Sequence, residues 1–262
     1  MYKRQAEDLA GRLTRAARLG SDRPAVVCGA TTLTYRALDA RATALAGALR
    51  RAGVGVESRV ALVLDRSAEW VTAMLGVLKA GGAYAPIDTS WPAARVRQVL
   101  GDLRPASIVT TRSGGVELPP DGPPVVFLED VDLRVEPDLD RPCAEVPGGA
   151  AAYVLYTSGS TGSPKGVVVS RANLAHYVDG IIARLGLTDT PADCQLQFAH
   201  VSTFAADLGH TCLFPALVTG NCLHVLEDAV ARDSAPFADY LRAHRIDAVS
   251  YTHLTLPTIY SV

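Results

Sequence analysis

The stretch from Tyr153 to Ser170, YVLYTSGSTGSPKGVVVS, constrains the fold more strongly than any other part of the chain. Apolar residues at its two ends predict two short buried strands, with Val154 and Leu155 in the first and the valines 167–169 in the second. Glycines, hydroxyl residues and one lysine occupy the interval between them, namely Thr157, Ser158, Gly159, Ser160, Thr161, Gly162, Lys165 and Gly166.

The chemistry of this interval is suited to phosphate. Glycine permits tight turns and close approach of a ligand, and successive N–H groups in a turn form an anion-binding concavity. Hydroxyl groups add hydrogen-bond donors, and the lysine adds a point charge. The alternative is a flexible Gly/Ser hairpin loop, although a plain turn requires neither a cluster of hydroxyl residues nor a lysine.

The general motif closest to this stretch is the P-loop, G-x-x-x-x-G-K-[ST], and the match fails in three places. Pro164 stands where the second glycine belongs, and Gly166 stands where the magnesium-binding hydroxyl belongs. A strand-like valine run follows, whereas a P-loop leads into a helix. The sequence therefore argues against a P-loop NTPase.

Patterns typical of strands and helices alternate through the first part of the chain. Apolar runs at 59–64, 84–87 and 107–111 predict strands, and helical stripes lie between them. Thr34 and Ser67 are placed to cap two of the helices. Short connections between such elements favour parallel βαβ units. The sequence thus predicts an α/β fold with doubly wound, mainly parallel sheets and helices on both faces.

Composition narrows the classes of function. A net charge of −2 without a basic block does not favour nucleic acid as a partner. The five cysteines, at 28, 143, 194, 212 and 222, show no metal-ligand spacing, which indicates reduced thiols and no metal site. No signal peptide and no apolar run long enough to cross a bilayer are present, so we expect a soluble, cytoplasmic protein without a membrane partner.

The form Y-T-S-G-S-T-G-x-P-K-G-V closely resembles the phosphate-binding signature of the acyl-adenylate-forming superfamily, in particular amino-acid adenylation domains of nonribosomal peptide synthetases. Two upstream stretches, LTYRALDARATALAGALRRAGV and LKAGGAYAPIDTSWPAARVRQVL, resemble the first two core motifs of these domains in the same order. The resemblance implies ATP and Mg²⁺ as cofactors, and a carrier domain bearing phosphopantetheine and a condensation domain as partners. It assigns the loop from Thr157 to Gly166 to the β,γ-phosphates.

Asp207 has two interpretations. Taken alone, it is a carboxylate at a helix start, where the helix dipole and free N–H groups favour it. Adenylation domains carry a motif F-D-x-S, followed by F-x-x-L, whose poorly solvated aspartate binds the α-ammonium of the substrate. Counting back from Phe214 places Asp207 on that aspartate, although Ala206 replaces the phenylalanine and Gly209 replaces the serine.

The same register places Leu208 and Thr211 on the next positions that line the side-chain pocket. Asp, Leu and Thr at these positions resemble family members that activate aspartate or asparagine. Ordinary helix packing explains Leu208 and Thr211 equally well. His200 is either a gate to this pocket or a structural histidine with satisfied hydrogen bonds.

The resemblance covers only part of an adenylation domain, so we expect residues 1–248 to form an incomplete N-terminal portion. The adenine-binding and ribose-binding motifs and the C-terminal subdomain with its catalytic lysine are not found, and Lys165 does not take that role. No catalytic residue is assigned. Residues 249–262 read like a translated sequencing adapter, and we expect a non-native tail. Codons that do not spell the adapter would contradict this expectation.

The predicted function is ATP-dependent activation of an amino acid as aminoacyl-AMP, in a truncated form that is inactive alone. A fragment of an acyl-CoA or aryl-acid ligase is the first alternative, because such a ligase shares the phosphate loop but does not require Asp207. A non-catalytic nucleotide-binding fragment is the second alternative. Comparing amino acids with carboxylates that lack the amine would separate these functions.

Overall fold

The computed structural model describes residues 8–114, 116, 118, 122–132, 146–158, 164–191 and 193–250, with Ser158 described by its backbone alone. The helices are Leu9–Leu19 (α1), Tyr35–Arg51 (α2), Ala68–Ala80 (α3), Ala93–Leu103 (α4), Arg171–Arg184 (α5), His210–Val218 (α6), Asp228–Arg232 (α7) and Ser234–Ala243 (α8). The strands are Pro24–Cys28 (β1), Thr31–Thr34 (β2), Arg59–Val63 (β3), Ala83–Ile87 (β4), Ser107–Thr110 (β5), Val125–Phe127 (β6), Ala151–Ser158 (β7), Pro164–Ser170 (β8), Gln197–His200 (β9), Cys222–Val225 (β10) and Ala248–Val249 (β11).

The strands form two sheets. The larger sheet has the order β6-β5-β3-β4-β7-β8, in which β8 is antiparallel to β7 and the other pairs are parallel. The smaller sheet has the order β11-β9-β10-β1-β2, and β2 is its antiparallel member. The predicted α/β fold with mainly parallel sheets is confirmed.

Side-chain caps explain where three helices begin. Thr34 accepts a hydrogen bond from the backbone of Ala37 at 3.2 Å, and Ser67 accepts one from Trp70 at 3.2 Å. Ser170 caps α5 in the same way through Asn173, also at 3.2 Å. Such caps satisfy backbone N–H groups that have no partner within the helix. Helix α3 ends at Gly81, whose φ of +97° favours glycine.

Helices cover both faces of each sheet. The main core lies between the sheets, where α1, α2, α3, α5 and α6 pack against residues of both, such as Val26 and Leu62. Helix α4 covers the other face of the larger sheet through Val96, Val99 and Leu103. Phe237 of α8 covers the outer face of the smaller sheet. The layers of the fold therefore follow the order α4, larger sheet, central helices, smaller sheet, α8.

The prediction of two buried strands around the loop is half correct. Strand β7 is buried, but β8 lies at the edge of the larger sheet, where the side chains of Val167 and Val168 are 47% and 61% exposed. These neighbours point to opposite faces of the strand, so neither face is fully covered there. An apolar run does not by itself distinguish a covered central strand from an open edge strand.

The far end of the chain meets the smaller sheet through β11. Ala248 and Val249 pair in parallel with Phe198 and Ala199, and Val249 packs on the outer apolar cluster. Residues 251–262 lie outside the described part of the chain, and so does Cys143. Within the described ranges, no helix is both long and apolar enough to cross a membrane.

Candidate functional site

The predicted phosphate loop is the tip of the β7–β8 hairpin. Thr157 pairs with Lys165, and Gly166 pairs with Tyr156, so these residues form the base of the hairpin. The side chains of Thr157 and Lys165 are exposed, as an anion-binding role requires. The backbone of Ser158 pairs with Pro164. Gly159, Ser160, Thr161 and Gly162 lie outside the described residues.

The hairpin projects from the edge of the sheet at which ligands bind in open α/β folds. Strand β7 runs parallel to β4, so the loop follows the carboxyl end of β7, beside the carboxyl ends of β4 and β3. Ligands of parallel sheets bind at this edge, because the loops there are free to carry polar groups. The topology therefore agrees with a binding role for the loop.

Asp207 begins a single 3-10 turn, Asp207–Gly209, which leads directly into α6. Its side chain is exposed, whereas the family resemblance predicted a poorly solvated carboxylate. The difference arises because the turn precedes α6 at the protein surface. Asp207 is therefore open to a ligand from solvent.

Asp207 lies close to Tyr153, which in turn interacts with Tyr177. The pKa of the Tyr153 phenol is raised to about 12. Burial is the largest cause, the negative charge of Asp207 is the second, and Tyr177 contributes further. The hydroxyls of Tyr177 and Thr211 are 2.6 Å apart and hydrogen-bonded. The structure thus brings Asp207 and Thr211 together with Tyr153 of β7 and Tyr177 of α5. Leu208 is half-buried in the same turn.

The two tyrosines were missed as site residues by sequence reasoning. Both fitted the strand and helix patterns of β7 and α5, and nothing in their spacing linked them to Asp207. The one available signal was that Tyr153 opens the phosphate-loop stretch, which placed it on the same strand as Thr157.

A cavity of about 730 Å³ opens at the same edge of the fold. It lies between the carboxyl ends of β3 and β4 in one sheet and of β9 and β10 in the other, and none of the predicted site residues lines it. Trp70 and Phe204 form an apolar wall, stacked with ring centroids 3.7 Å apart. Arg66 and Asp88 supply charge.

Polar contacts across this cavity tie the two sheets together. Thr203 donates a hydrogen bond to Asp88 at 2.8 Å, and Arg66 donates one to the carbonyl of Val201 at 2.6 Å. Burial raises the pKa of Asp88, but hydrogen bonds from Ser90 and Thr203 outweigh it and leave that pKa below its ordinary value. Asp88 is therefore a firmly ionised link between the larger and the smaller sheet.

Two buried histidines support the turn that carries Asp207. His210 is 2% exposed, and its Nε2 is 3.1 Å from the hydroxyl of Tyr84. His200 is 1% exposed, and neither of its ring nitrogens has a hydrogen-bond partner in the described structure. His200 is therefore neither an accessible gate nor the satisfied structural histidine that the sequence analysis considered.

Acidification is expected to destabilise the fold through these histidines. Burial lowers the pKa of both His200 and His210 to about 3, below the value of about 6.5 in the unfolded chain. Their stabilising contribution is complete above pH ~6.5 and is lost as the pH falls toward the folded-state pKa. At pH 5 each histidine should cost roughly 2 kcal/mol of unfolding free energy relative to pH 7.

Urea unfolding at pH 7 and pH 5 measures this loss. The matched control is His176→Asn, because His176 is exposed on α5 and should leave the pH dependence intact. Equal unfolding free energies at the two pH values would contradict the expectation.

Comparison with known proteins agrees with this geometry. Residues 13–258 match the AMP-binding enzyme family. Surfactin synthase subunit 2 of Bacillus subtilis is 37% identical over 238 residues, and phenyloxazoline synthase MbtB of Mycolicibacterium paratuberculosis is 37% identical over 245 residues. The matches cover 91% and 94% of this chain, but the chain spans only 6% and 20% of the length of these relatives.

Solved structures show the same similarity. The four-domain nonribosomal peptide synthetase holo-AB3403, bound to AMP and glycine, superposes with a TM-score of 0.80 at 28% identity. The AMPPNP-bound form of the synthetase FmoA3 gives the same two values. Each covers 94% of this chain, which spans 17% and 25% of the respective structures. The chain belongs to the AMP-binding enzyme family.

Proposed function

We propose that this chain contributes the triphosphate-binding hairpin and the amine-binding carboxylate of an amino-acid adenylation site in a nonribosomal peptide synthetase. In the proposed reaction a carboxylate oxygen of the amino acid attacks the α-phosphorus of ATP. A bond between that phosphorus and the oxygen of the β-phosphate breaks, and pyrophosphate leaves. The products are aminoacyl-AMP and pyrophosphate.

One observation carries the proposal: strand β7 connects both parts of the site. Tyr153 of β7 lies beside Asp207, and Thr157 of the same strand stands at the base of the hairpin loop. Four residues of extended strand span about 13 Å. An amino acid joined end to end with a triphosphate is of comparable length, so one ligand can reach from Asp207 to the loop.

The side chains have positioning and electrostatic roles in this proposal. Thr157, Ser158, Gly159, Ser160, Thr161, Gly162 and Gly166 belong to the loop whose N–H and hydroxyl groups would hold the β,γ-phosphates. The exposed ammonium of Lys165 would balance the charge of the departing pyrophosphate. Asp207 would bind the α-ammonium and so orient the carboxylate for attack.

Mg²⁺ would accompany ATP. The part of the chain that the structure describes contains no group of three or more His, Cys, Asp or Glu residues arranged around a metal site. Mg²⁺ is commonly held by substrate phosphates and few protein ligands, so the hydroxyl-rich loop is compatible with it. A carrier domain bearing phosphopantetheine would receive the aminoacyl group, and a condensation domain would complete the set of partners.

The preference for aspartate or asparagine remains part of the proposal and rests on Asp207, Leu208 and Thr211. The hydrogen bond between Thr211 and Tyr177 supports a polar pocket wall at this position. Leu208 is half-buried, which is compatible with either pocket lining or packing.

Replacing Asp207 with asparagine tests the proposal. The probes are pairs of an amino acid and its analogue without the amine: L-asparagine with succinamic acid, L-alanine with propanoate, and L-phenylalanine with 3-phenylpropanoate. Their dissociation constants are measured by calorimetry in the presence of AMPPNP. The wild-type chain should prefer the amine-bearing member of at least one pair. Asp207→Asn should reduce that preference roughly 10–100-fold, the value of a lost charge-assisted hydrogen bond.

The matched control is Asp189→Asn, because Asp189 is also exposed in a 3-10 turn, after α5. It should leave both dissociation constants unchanged. Equal binding of both members of every pair by the wild-type chain would overturn amine recognition and favour an acyl-CoA or aryl-acid ligase. Failure to bind AMPPNP would overturn the nucleotide site.

A further inference from the structure

His200 presents a buried polar ring without a compensating hydrogen bond. It ends β9 and is 1% exposed, and both Nδ1 and Nε2 lack partners among the described residues. Leaving a buried polar group unpaired costs free energy, so each such group in a native structure calls for a physical reason. An apolar side chain would serve better if His200 only filled the core.

The ring of His200 occupies the space beside Gly209. A Cβ atom at position 209 would lie 2.0 Å from Nε2 of His200 and 2.8 Å from Oγ of Ser202, distances that real atoms do not adopt. The backbone of Gly209, with φ −66° and ψ −18°, is one that any residue adopts. Glycine is therefore required at 209 by the position of His200 and not by the backbone conformation.

The face of the His200 ring has a second contact. His200 stacks on Phe204 with ring centroids 4.1 Å apart and an interplanar angle of 23°. Phe204 in turn stacks on Trp70 of α3. The three rings form a buried stack that starts in α3 and ends against Gly209, the last residue of the turn that begins with Asp207.

We propose that His200 is a positioning residue for amine recognition: its ring, held on Phe204 and packed against Gly209, sets the Asp207–Gly209 turn and thereby directs the Asp207 carboxylate toward the substrate ammonium. This inference rests on the proposed role of Asp207. It adds a residue that touches no ligand and acts only through the turn. It also accounts for glycine in place of the serine of the F-D-x-S motif.

The first test measures recognition in the intact chain. His200→Ala and the shorter planar His200→Asn both withdraw the ring from Gly209, so one can replace the other if it does not fold. With the same three ligand pairs and AMPPNP, each should lower the preference for the amine about tenfold. The dissociation constant of AMPPNP should stay within twofold of wild type, which a general loss of structure would not allow. His176→Ala, at an exposed position of α5, is the control and should change neither value.

The second test measures the contact itself by a double-mutant cycle in urea. Gly209→Ala should raise the unfolding equilibrium constant at least 100-fold in the wild-type chain, because the new methyl group clashes with His200. In the His200→Ala or His200→Asn background the same change should cost less than tenfold. Equal effects in both backgrounds would overturn the proposal.

The outcomes separate this inference from the proposed function. If the wild-type chain prefers the amine and the folded His200 variants retain that preference in full, the positioning role is wrong while the function stands. If the wild-type chain prefers no amine in any pair, the proposed function fails, and the positioning role fails with it. A tenfold loss of preference together with coupling in the cycle would support the inference.

Discussion

Replacing Lys79 with methionine is expected to lower the free energy of unfolding by about 3–5 kcal/mol. Lys79 of α3 is buried, and its Nζ donates to Oδ1 of Asp39 at 2.5 Å and to Oγ1 of Thr43 at 2.9 Å. Methionine preserves the length and packing of the side chain but leaves the Asp39 carboxylate buried without its counter-ion. Thr14, which donates to Asp39 at 3.0 Å, cannot supply the missing charge.

Urea denaturation of matched variants checks this result. The double variant Lys79→Met/Asp39→Leu removes both charges and should recover most of the lost stability, because an apolar pair often replaces a buried ion pair at little cost. Arg242→Met breaks an exposed pair with Asp239, 2.6 Å apart, and should cost less than about 1 kcal/mol. A loss for Lys79→Met as small as that for Arg242→Met would show that the buried pair contributes little.

Replacing Trp70 with alanine should have a similar effect, about 3–5 kcal/mol, through a different mechanism. Trp70 is 1% exposed and stacks on Phe204, and it also meets the ring of Tyr84 edge to face at 5.9 Å. Its removal leaves a large void where α3 meets the strands of both sheets. The lost stacked and edge-to-face contacts add to the effect of the lost buried area.

Trp91→Ala is the control for Trp70→Ala. Trp91 is partly exposed at the start of the α4 segment, and its ring lies 4.3 Å from the guanidinium of Arg95. Its truncation removes an equal volume without opening the main core, so we expect about 1 kcal/mol. Denaturant midpoints of the two variants give the comparison, and equal losses would mean that Trp70 does not anchor the junction between the sheets.

The element order could be predicted from sequence because local signals agreed with one another. Thr34 and Ser67 were correctly predicted as helix caps, and the apolar runs that correspond to β3, β4 and β5 form parallel pairs as expected. Which strands belong to which sheet could not be derived this way, because strand neighbours such as β1 and β10 are determined by tertiary packing. The position of β8 at the edge of the larger sheet is likewise determined by tertiary packing, because no further strand of the described residues pairs with its free side.

The candidate site, too, could be predicted from the sequence only in part. The loop could be found from sequence because glycine, hydroxyl and lysine residues follow one another along the chain. The surroundings of Asp207 could not, because Tyr153, Tyr177 and Thr211 come from three different elements. Gly209 departs from the family motif, and only the structure explains it, because a side chain there would clash with His200. A contact between residues that are distant in sequence leaves no local sequence pattern.

The parallel pairing of β1 with β10 has a consequence for how the protein is made. Val26 pairs with Leu223, so nearly 200 further residues must be synthesised before β1 can pair with β10. At typical translation rates this delay is on the order of 10–40 s. The β1–β2 hairpin is marginal without that neighbour, whereas β3, β4 and β5 with their helices are nearly consecutive in the chain. On the ribosome the larger sheet can thus assemble first, and β1, although it precedes every strand of that sheet in the chain, pairs with β10 only afterwards.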